Sequence, residues 1–348
     1  MIAIGIDVHK RKCTIAEQGE GGELKMRPSI ENTREEWLEF LQELPPDAEI
    51  ALEVSTSGYF AMSVLEAAGW KDRAHWVHTA GIDTLRRQKT DRLDARRLAR
   101  KLSVADREPL PEAWFPPPEI RELRLRARQR CWLAVMRAQV RNRTQSLLQQ
   151  HGLRSGRNPF TPRGQAWLAK QQMPAATRES LEQLGRLNTF LQQEVETSEA
   201  TLAESTKKIS EIARLRSIPG LGRILAAVVW SEIGDLTRFA SADALVNYTG
   251  LVPSLYQNGE ISRPGPITHQ GSVWLRWALL TGVNAALRGR SPFAERYRRL
   301  KQRKPANVAK TAVARSLARC VYGVLKYECN YQEERWGRKL GSFVEQQA

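Results

Sequence analysis

Five prolines fall within ten positions: Pro109, Pro111 and Pro116-Pro117-Pro118. Proline removes a backbone donor and fixes φ, so neither a helix interior nor a central strand runs through such a stretch. The chain is divided there, and the two sides differ in periodicity. Upstream, short apolar runs alternate with helical segments. Downstream, helical spacing dominates. At 348 residues the chain can hold two or three domains. The reading is an α/β domain over 1–118, a helical connector over 119–214 and an α-helical domain over 215–348.

Ile2 to Asp7 reads as a buried strand ending on an acid. Cys13–Glu17 and Leu24–Met26 follow as antiparallel strands, with Gly19, Gly21 and Gly22 supplying the turn. Thr33–Leu44 is helical: Trp37, Leu38, Leu41 and Leu44 keep helical spacing, and Pro45-Pro46 stops it. Ile50–Glu53 is a second strand ending on an acid, Gly58–Ala68 a helix, and Ala74–Val77 a further core strand. A helix from Asp91 to Ser103 closes the series. This order puts Asp7 in the first strand, Glu53 at the end of the fourth, and Asp91 and Asp94 at the front of the last helix. In open α/β sheets functional groups gather at strand C-termini.

Asp91 and Asp94 are three residues apart, hence on one helix face. Two carboxylates so close repel, and a shared proton, a metal ion or an arginine partner relieves them. The plain alternative is a pair of first-turn acids favoured by the helix dipole, with Arg92, Arg96 and Arg97 as partners. With Asp7 and Glu53 added, four convergent carboxylates suit two hard cations, Mg²⁺ or Mn²⁺. Two such metals stabilise the attacking and leaving oxygens in phosphodiester cleavage.

The formal net charge of +16 and the pI near 10 point to a polyanion, nucleic acid first and a membrane surface second. No apolar run reaches the ~18 residues of a membrane span. Met1-Ile2-Ala3-Ile4-Gly5-Ile6 has no basic start and meets Asp7 at once, so the expected location is the cytoplasm, with the nucleoid. Cys13, Cys131, Cys320 and Cys329 form no CxxC pair and read as reduced thiols. His75 and His78 read as structural.

A long helix is expected from Glu119 to about Gln150, bearing Arg121, Arg124, Arg126, Arg128, Arg130, Arg137, Arg141 and Arg143. A solvated basic face is one reading; phosphate contact is preferred because the charge is nearly single-signed. Gly152–Arg163 reads as a loop. A second helix, Thr177 to about Arg214, keeps Leu184, Leu187, Leu191, Val195, Ser198, Leu202, Ile209 and Ile212 at coiled-coil spacing. That seam pairs within the chain or between chains, and self-association to a dimer or tetramer is the preferred expectation. Ser217-Ile218-Pro219-Gly220-Leu221-Gly222 is similar to a helix–hairpin–helix element, whose backbone N–H groups at Gly220 and Gly222 suit a phosphate. Ile224–Ile233, Phe239–Tyr248 and Val308–Leu325 read as helices, and a basic run from Arg288 to Lys304 lies before the last. The residues after Phe343 are expected to fray.

Three strings carry a resemblance: Gly5-Ile6-Asp7-Val8-His9-Lys10, then Glu53 before Ser57-Gly58-Tyr59, then Lys89-Thr90-Asp91-Arg92-Leu93-Asp94-Ala95. Downstream, Gly250 to Gly259 and Ile267-Thr268-His269-Gln270-Gly271-Ser272, with Leu275-Arg276, extend it. Together they resemble the Piv-type DEDD transposases, the insertion-sequence "one-ten" family. The resemblance implies a RuvC-like, ribonuclease H-type first domain, a C-terminal transposase domain, and Asp7, Glu53, Asp91 and Asp94 as a metal-binding tetrad. It implies a recombinase acting on the DNA of a mobile element, in some members guided by a structured bridge RNA. Lys89, Arg92, Arg121, Arg124, Arg128, Arg137, Arg141, Gly220, Gly222 and Arg276 are the expected nucleic-acid contacts.

One position departs from the family. A serine nucleophile is expected before Gly259, and Asn258 stands there. A carboxamide has no ionisable hydroxyl. Three readings follow: an altered copy that binds without cleaving, substitution by Ser254 or Ser262, or cleavage by metal-activated water. A metal-dependent structure-specific nuclease is a further alternative function.

Overall fold

The computed structural model describes residues 1–78, 90–154, 156–258 and 261–333. Lys89, Gly259 and the chain end beyond Phe343 lie outside the described residues. The chain divides into two compact units, Met1–Pro116 and Pro117–Ala348. The division falls at the proline run. The connector and the C-terminal region, expected as two domains, fall in the second unit together.

The first unit is built on a mixed sheet. Its strands are β1 (Ile2–Val8), β2 (Lys12–Gln18), β3 (Leu24–Met26), β4 (Ile30–Glu31), β5 (Ala48–Glu53) and β6 (Ala74–Val77). The sheet order is β3-β2-β1-β5-β6, with β4 also paired to β2. β1 runs antiparallel to β2 and parallel to β5, and β5 is parallel to β6. The two-residue β4 is too short to leave a sequence pattern, so Glu53 ends the fifth strand, where the fourth was expected.

Side chains alternate across the central strand. Ile4, Ile6 and Val8 join the larger core with Trp37, Phe40, Leu41, Leu52 and Leu65. That core is closed by α1 (Arg34–Gln42) and α2 (Thr56–Ala67). Ala3 lies on the other face, with Ala51, Val77, Leu98 and Leu102. The helix on this face is α3 (Asp91–Ser103). It presents the small residues Ala95 and Ala99 to Ala16 of β2. Gly5 makes the close approach possible: a Cβ there would meet the Ala95 carbonyl oxygen at 2.1 Å and the Ala99 nitrogen at 2.3 Å.

The second unit opens with α4 (Pro118–Gln150), α5 (Pro162–Ala169) and α6 (Ala175–Thr206). The stretch read as a loop to Arg163 ends in α5, which Thr161 caps by accepting from Gly164 N–H. The second long helix ends at Thr206, and a separate short helix, α7 (Ser210–Leu215), follows. Helices α4 and α6 pack as an antiparallel pair. Leu133 and Val140 meet Leu191 and Val195, and Leu147 and Leu148 meet Leu181. The apolar seam therefore has an in-chain partner, the arginine-rich helix. Leu187, expected in the seam, is exposed.

The remaining helices are α8 (Arg223–Ile233), α9 (Ala242–Tyr248), α10 (Val273–Ala286), α11 (Pro292–Lys301) and α12 (Ala306–Lys326). They share one core around Val228, Leu279, Val283, Leu317 and Val321. The helix expected from Phe239 starts at Ala242, because Ser241 caps it there, after a 3₁₀ turn over Leu236–Arg238. A β-hairpin interrupts the helices: β7 (Pro253–Asn258) pairs antiparallel with β8 (Ile261–Ile267). This was not foreseen. Asn258-Gly259 is a turn-favouring pair, but no run of alternating apolar residues flanks it to announce the two strands. No helix among the described residues is long and apolar enough to cross a membrane.

Candidate active site

The acidic centre forms where β1, β5 and α3 meet. Asp7 lies on the same face of β1 as Gly5, two residues away. Gly5 pairs with Ala51 and Ile6 with Leu52 across the parallel β1/β5 ladder. One step further along each strand come Asp7 and Glu53, on neighbouring strands and the same face. Gly58, in the first turn of α2, lets that helix close on the Glu53 carbonyl; a Cβ there would lie 2.5 Å from it.

The helix supplies the other two acids. Thr90 caps α3 by accepting from Leu93 N–H at 3.3 Å, which sets Asp91 as the first helical residue. Because Gly5 admits Ala95 and Ala99 against β1, the front of α3 comes beside the end of that strand. Asp7 is buried, Asp91 exposed, and Asp94 mostly covered. Asp94 Oδ1 accepts from Arg97 Nη1 at 3.0 Å, so one expected arginine partner is realised.

His9 completes the centre and was not foreseen as part of it. Its Nε2 lies 3.2 Å from Asp7 Oδ2 and 3.3 Å from Asp91 Oδ1. Asp7, His9 and Asp91 each place a ligand atom within 4.8 Å of the other two. Glu53 and Asp94 are outside that tight group but act on it. The Asp7 carboxyl is pushed up from its ordinary value first by burial; His9 opposes this, and Asp91, Asp94 and Glu53 reinforce it. All four acids thus share one electrostatic neighbourhood. Cys13, whose residue pairs with Val8, has its thiol pushed up to about 12 by burial and by Asp7. It stays protonated and is a poor ligand.

The donor set suits a divalent cation: a buried carboxylate, further carboxylates converging from two other elements, and an imidazole between two of them. A cation there would offset the burial that raises Asp7 and the negative charge that Asp91, Asp94 and Glu53 add to it.

The expected nucleic-acid contacts divide into two groups. Arg124 donates from Nε to the Ser231 carbonyl and from Nη2 to the Glu232 carbonyl, at 2.5 and 2.8 Å. Arg128 makes a bidentate pair, 2.8 and 2.9 Å, with Glu232, which is fully buried. Arg137 donates to Gln192 of α6. Arg276 is buried, and its Nη1 donates to the Thr249 carbonyl at 3.0 Å and the His269 carbonyl at 3.3 Å. All four guanidinium groups thus have partners inside the protein. Each guanidinium hydrogen-bonds a carbonyl, carboxylate or side-chain amide, and the buried Glu232 carboxylate is satisfied in this way. Arg92 and Arg141 are exposed, the latter 5.8 Å over the Phe160 ring, and Arg121 is half-buried. Gly220 takes a φ of +95° where a Cβ would meet the Gly282 carbonyl oxygen at 2.2 Å, and Gly222 caps α8. His75 is structural as expected, set between Glu49 and Glu112 at 3.1 and 2.6 Å.

Position 258 is the last residue of β7 and pairs with Ile261. The root of that hairpin is fixed by glycines that no other residue could replace without strain. Gly250 has a φ of +65° against the Gln270 carbonyl oxygen, and Gly271 a φ of +87° against that of Tyr248. Arg276 joins the two sides of the root, since Thr249 precedes β7 and His269 follows β8.

Comparison with known proteins agrees with these two regions. A DEDD transposase family profile of the IS110 group matches residues 4–152. A second profile, described as the transposase IS116/IS110/IS902 family, matches residues 212–298. A probable family 20 transposase of Pseudomonas aeruginosa is 26% identical over 309 residues, 84% of this chain and 88% of the relative. A putative transposase of Sinorhizobium fredii is 25% identical over 93% of this chain and 88% of its own. The transposase for insertion sequence element IS1111A of Coxiella burnetii is 27% identical over 65% of each. One profile covers the acidic centre and the other the hairpin with its root, and on both the chain belongs to the IS110 family of transposases.

Proposed function

We propose that the chain is a DNA recombinase of the DEDD type, with a RuvC-like first unit and Asp7, Glu53, Asp91 and Asp94 as its metal-binding residues. The observation that carries this is the meeting of four acids from three elements at the C-terminal end of a parallel strand pair, around a buried Asp7. A divalent cation bound there, Mg²⁺ or Mn²⁺, supplies Lewis-acid polarisation of phosphoryl oxygens. The chain's own residues set the stage. Asp7 and Glu53 are fixed on rigid strands, Asp91 faces solvent where a substrate enters, and Arg97 holds Asp94 in place. The exposed basic residues of the second unit draw in the DNA ends of the element, the target and a structured guide RNA. The protein works as a homo-oligomer, dimer or tetramer, in the nucleoid.

Asn258 favours a second reading, that this copy binds its nucleic acids without forming a covalent bond to DNA. Asn258, in the place of the family's serine, suits the turn before Gly259 but lacks the hydroxyl. The two are separated by one set of assays. Divalent metal should raise the melting temperature of the wild-type protein, and Asp7→Ala should abolish the rise. With labelled donor DNA, metal and the flanking transcript, the wild-type chain should give no protein–DNA adduct on denaturing gels, and Asn258→Ser should give one. An adduct from the unmodified chain would refute the binding-only reading and direct attention to Ser254 and Ser262. No metal effect on melting would refute the metal centre itself.

A further inference from the structure

The string Val8-His9-Lys10 leaves β1 directly after the buried Asp7. The backbone at His9 is held by contacts that do not involve the acids. The His9 N–H donates to the Lys12 carbonyl at 3.1 Å, closing the β1–β2 turn. The His9 carbonyl accepts from Asn32 Nδ2 at 3.0 Å. Asn32 Oδ1 in turn accepts from the indole nitrogen of Trp37 at 2.8 Å, and Trp37 is wholly buried. The backbone of an otherwise exposed turn residue is thereby tied to the core. A backbone so held presents its side chain at reduced entropic cost. The side chain it presents reaches two carboxylates from two different elements, at 3.2 and 3.3 Å.

We propose that His9 is a metal ligand, and that Asp7, His9 and Asp91 make one cation position with a nitrogen donor. This rests on the metal-centre reading given above and refines it. An all-oxygen set of carboxylates suits Mg²⁺. An imidazole in the set shifts preference towards cations softer than Mg²⁺, because nitrogen gains more from a transition cation than from a hard one. The position between Asp7 and Asp91 is therefore selective for Mn²⁺ over Mg²⁺. The wider centre, with Glu53 and Asp94, retains oxygen donors alone. The hydrogen bond from Asn32 to the His9 carbonyl then serves ligand placement, and so does the Trp37 contact behind it.

The test uses the full-length protein and Mn²⁺ itself. Pulsed electron paramagnetic resonance on bound Mn²⁺ should show coupling to a nitrogen nucleus in the wild-type protein, and His9→Gln should remove it. By calorimetry, His9→Gln and His9→Ala should weaken Mn²⁺ binding roughly tenfold while Mg²⁺ binding changes less than about twofold. Two variants guard against misfolding of one, and the side chain is more than half exposed, so neither opens a core cavity. Bound Mn²⁺ without nitrogen coupling would overturn the proposal and leave the acidic centre standing. So would an equal loss, or a gain, of affinity for both cations, since His9 would then be a structural or competing group. Failure of the wild-type protein to bind Mn²⁺, or binding indifferent to Asp7→Ala, would remove the acidic centre as well.

Discussion

Asp7 ionises at a cost in the metal-free fold. Burial is the first cause, Asp91, Asp94 and Glu53 add to it, and His9 opposes. A carboxyl whose folded value lies above its unfolded value of about 3.9 favours the folded state most below that value. The favour is lost as pH rises through the raised folded value. In chelator, Asp7→Asn should therefore melt above the wild-type protein at pH 7, and the difference should close as pH falls towards 4. With divalent metal at pH 7 the order should reverse, because the carboxylate then has a counter-charge. Differential scanning fluorimetry across that range checks both arms. The acids were legible in the sequence by type, order and place at strand or helix ends. His9 was not, although it stood within a quoted string. Its role depends on a contact with Asp91, more than eighty residues on, which no local pattern encodes. Nor could the sequence separate arginines that meet solvent from those that answer buried carbonyls, since Arg124 and Arg126 look alike until α8 is placed beside α4.

At the level of elements, the site depends on how closely α3 lies against β1. Most helices stand off a sheet by the length of their side chains. Here glycine faces two alanines, and the helix backbone touches the strand. Gly5→Ala places a methyl group within 2.3 Å of two α3 backbone atoms. Neither is a flexible side-chain end that could swing away. Overpacking of this kind costs roughly 1–3 kcal/mol. The variant should lose about that much in denaturant unfolding. It should also lose the metal-dependent rise in melting temperature, because moving α3 takes Asp91 from Asp7. Retention of the metal response would show that the centre tolerates displacement of the helix. The strands and most helices followed from periodicity and proline placement. The two-residue β4 and the β7–β8 hairpin did not, the first for its length and the second because its pairing lies in register rather than in apolar pattern.

Across the whole molecule the formal charge is +16, but its position matters more than its total. The arginines expected to carry phosphate contact on α4 include Arg124, Arg128, Arg130 and Arg137, each of which has a partner on another element. Replacing those would test folding as much as binding. The exposed charge is richer at α11 and the residues around it: Arg288, Arg290, Arg298, Arg299, Lys301, Arg303 and Lys304. The same region strains against itself. Arg296 is depressed first by burial and then by Arg299, Arg319 and Arg315, and Arg315 by burial and Arg319. Cations that repel one another gain most when phosphates arrive between them. Each neutralised phosphate contributes a slope of about −0.9 in log affinity against log salt for duplex DNA. Substituting Arg298, Arg299 and Lys301 together by Ala should therefore flatten that slope by up to about 2.7. The loss should be similar for unrelated DNA sequences, because contacts to phosphate position the duplex without reading it. Melting should change little, as these side chains are exposed and on a helix surface. The measurement is fluorescence anisotropy of labelled duplex between 50 and 200 mM salt. An unchanged slope would return this face to solvent and move the polyanion surface to Arg141, Arg143 and the far end of α4.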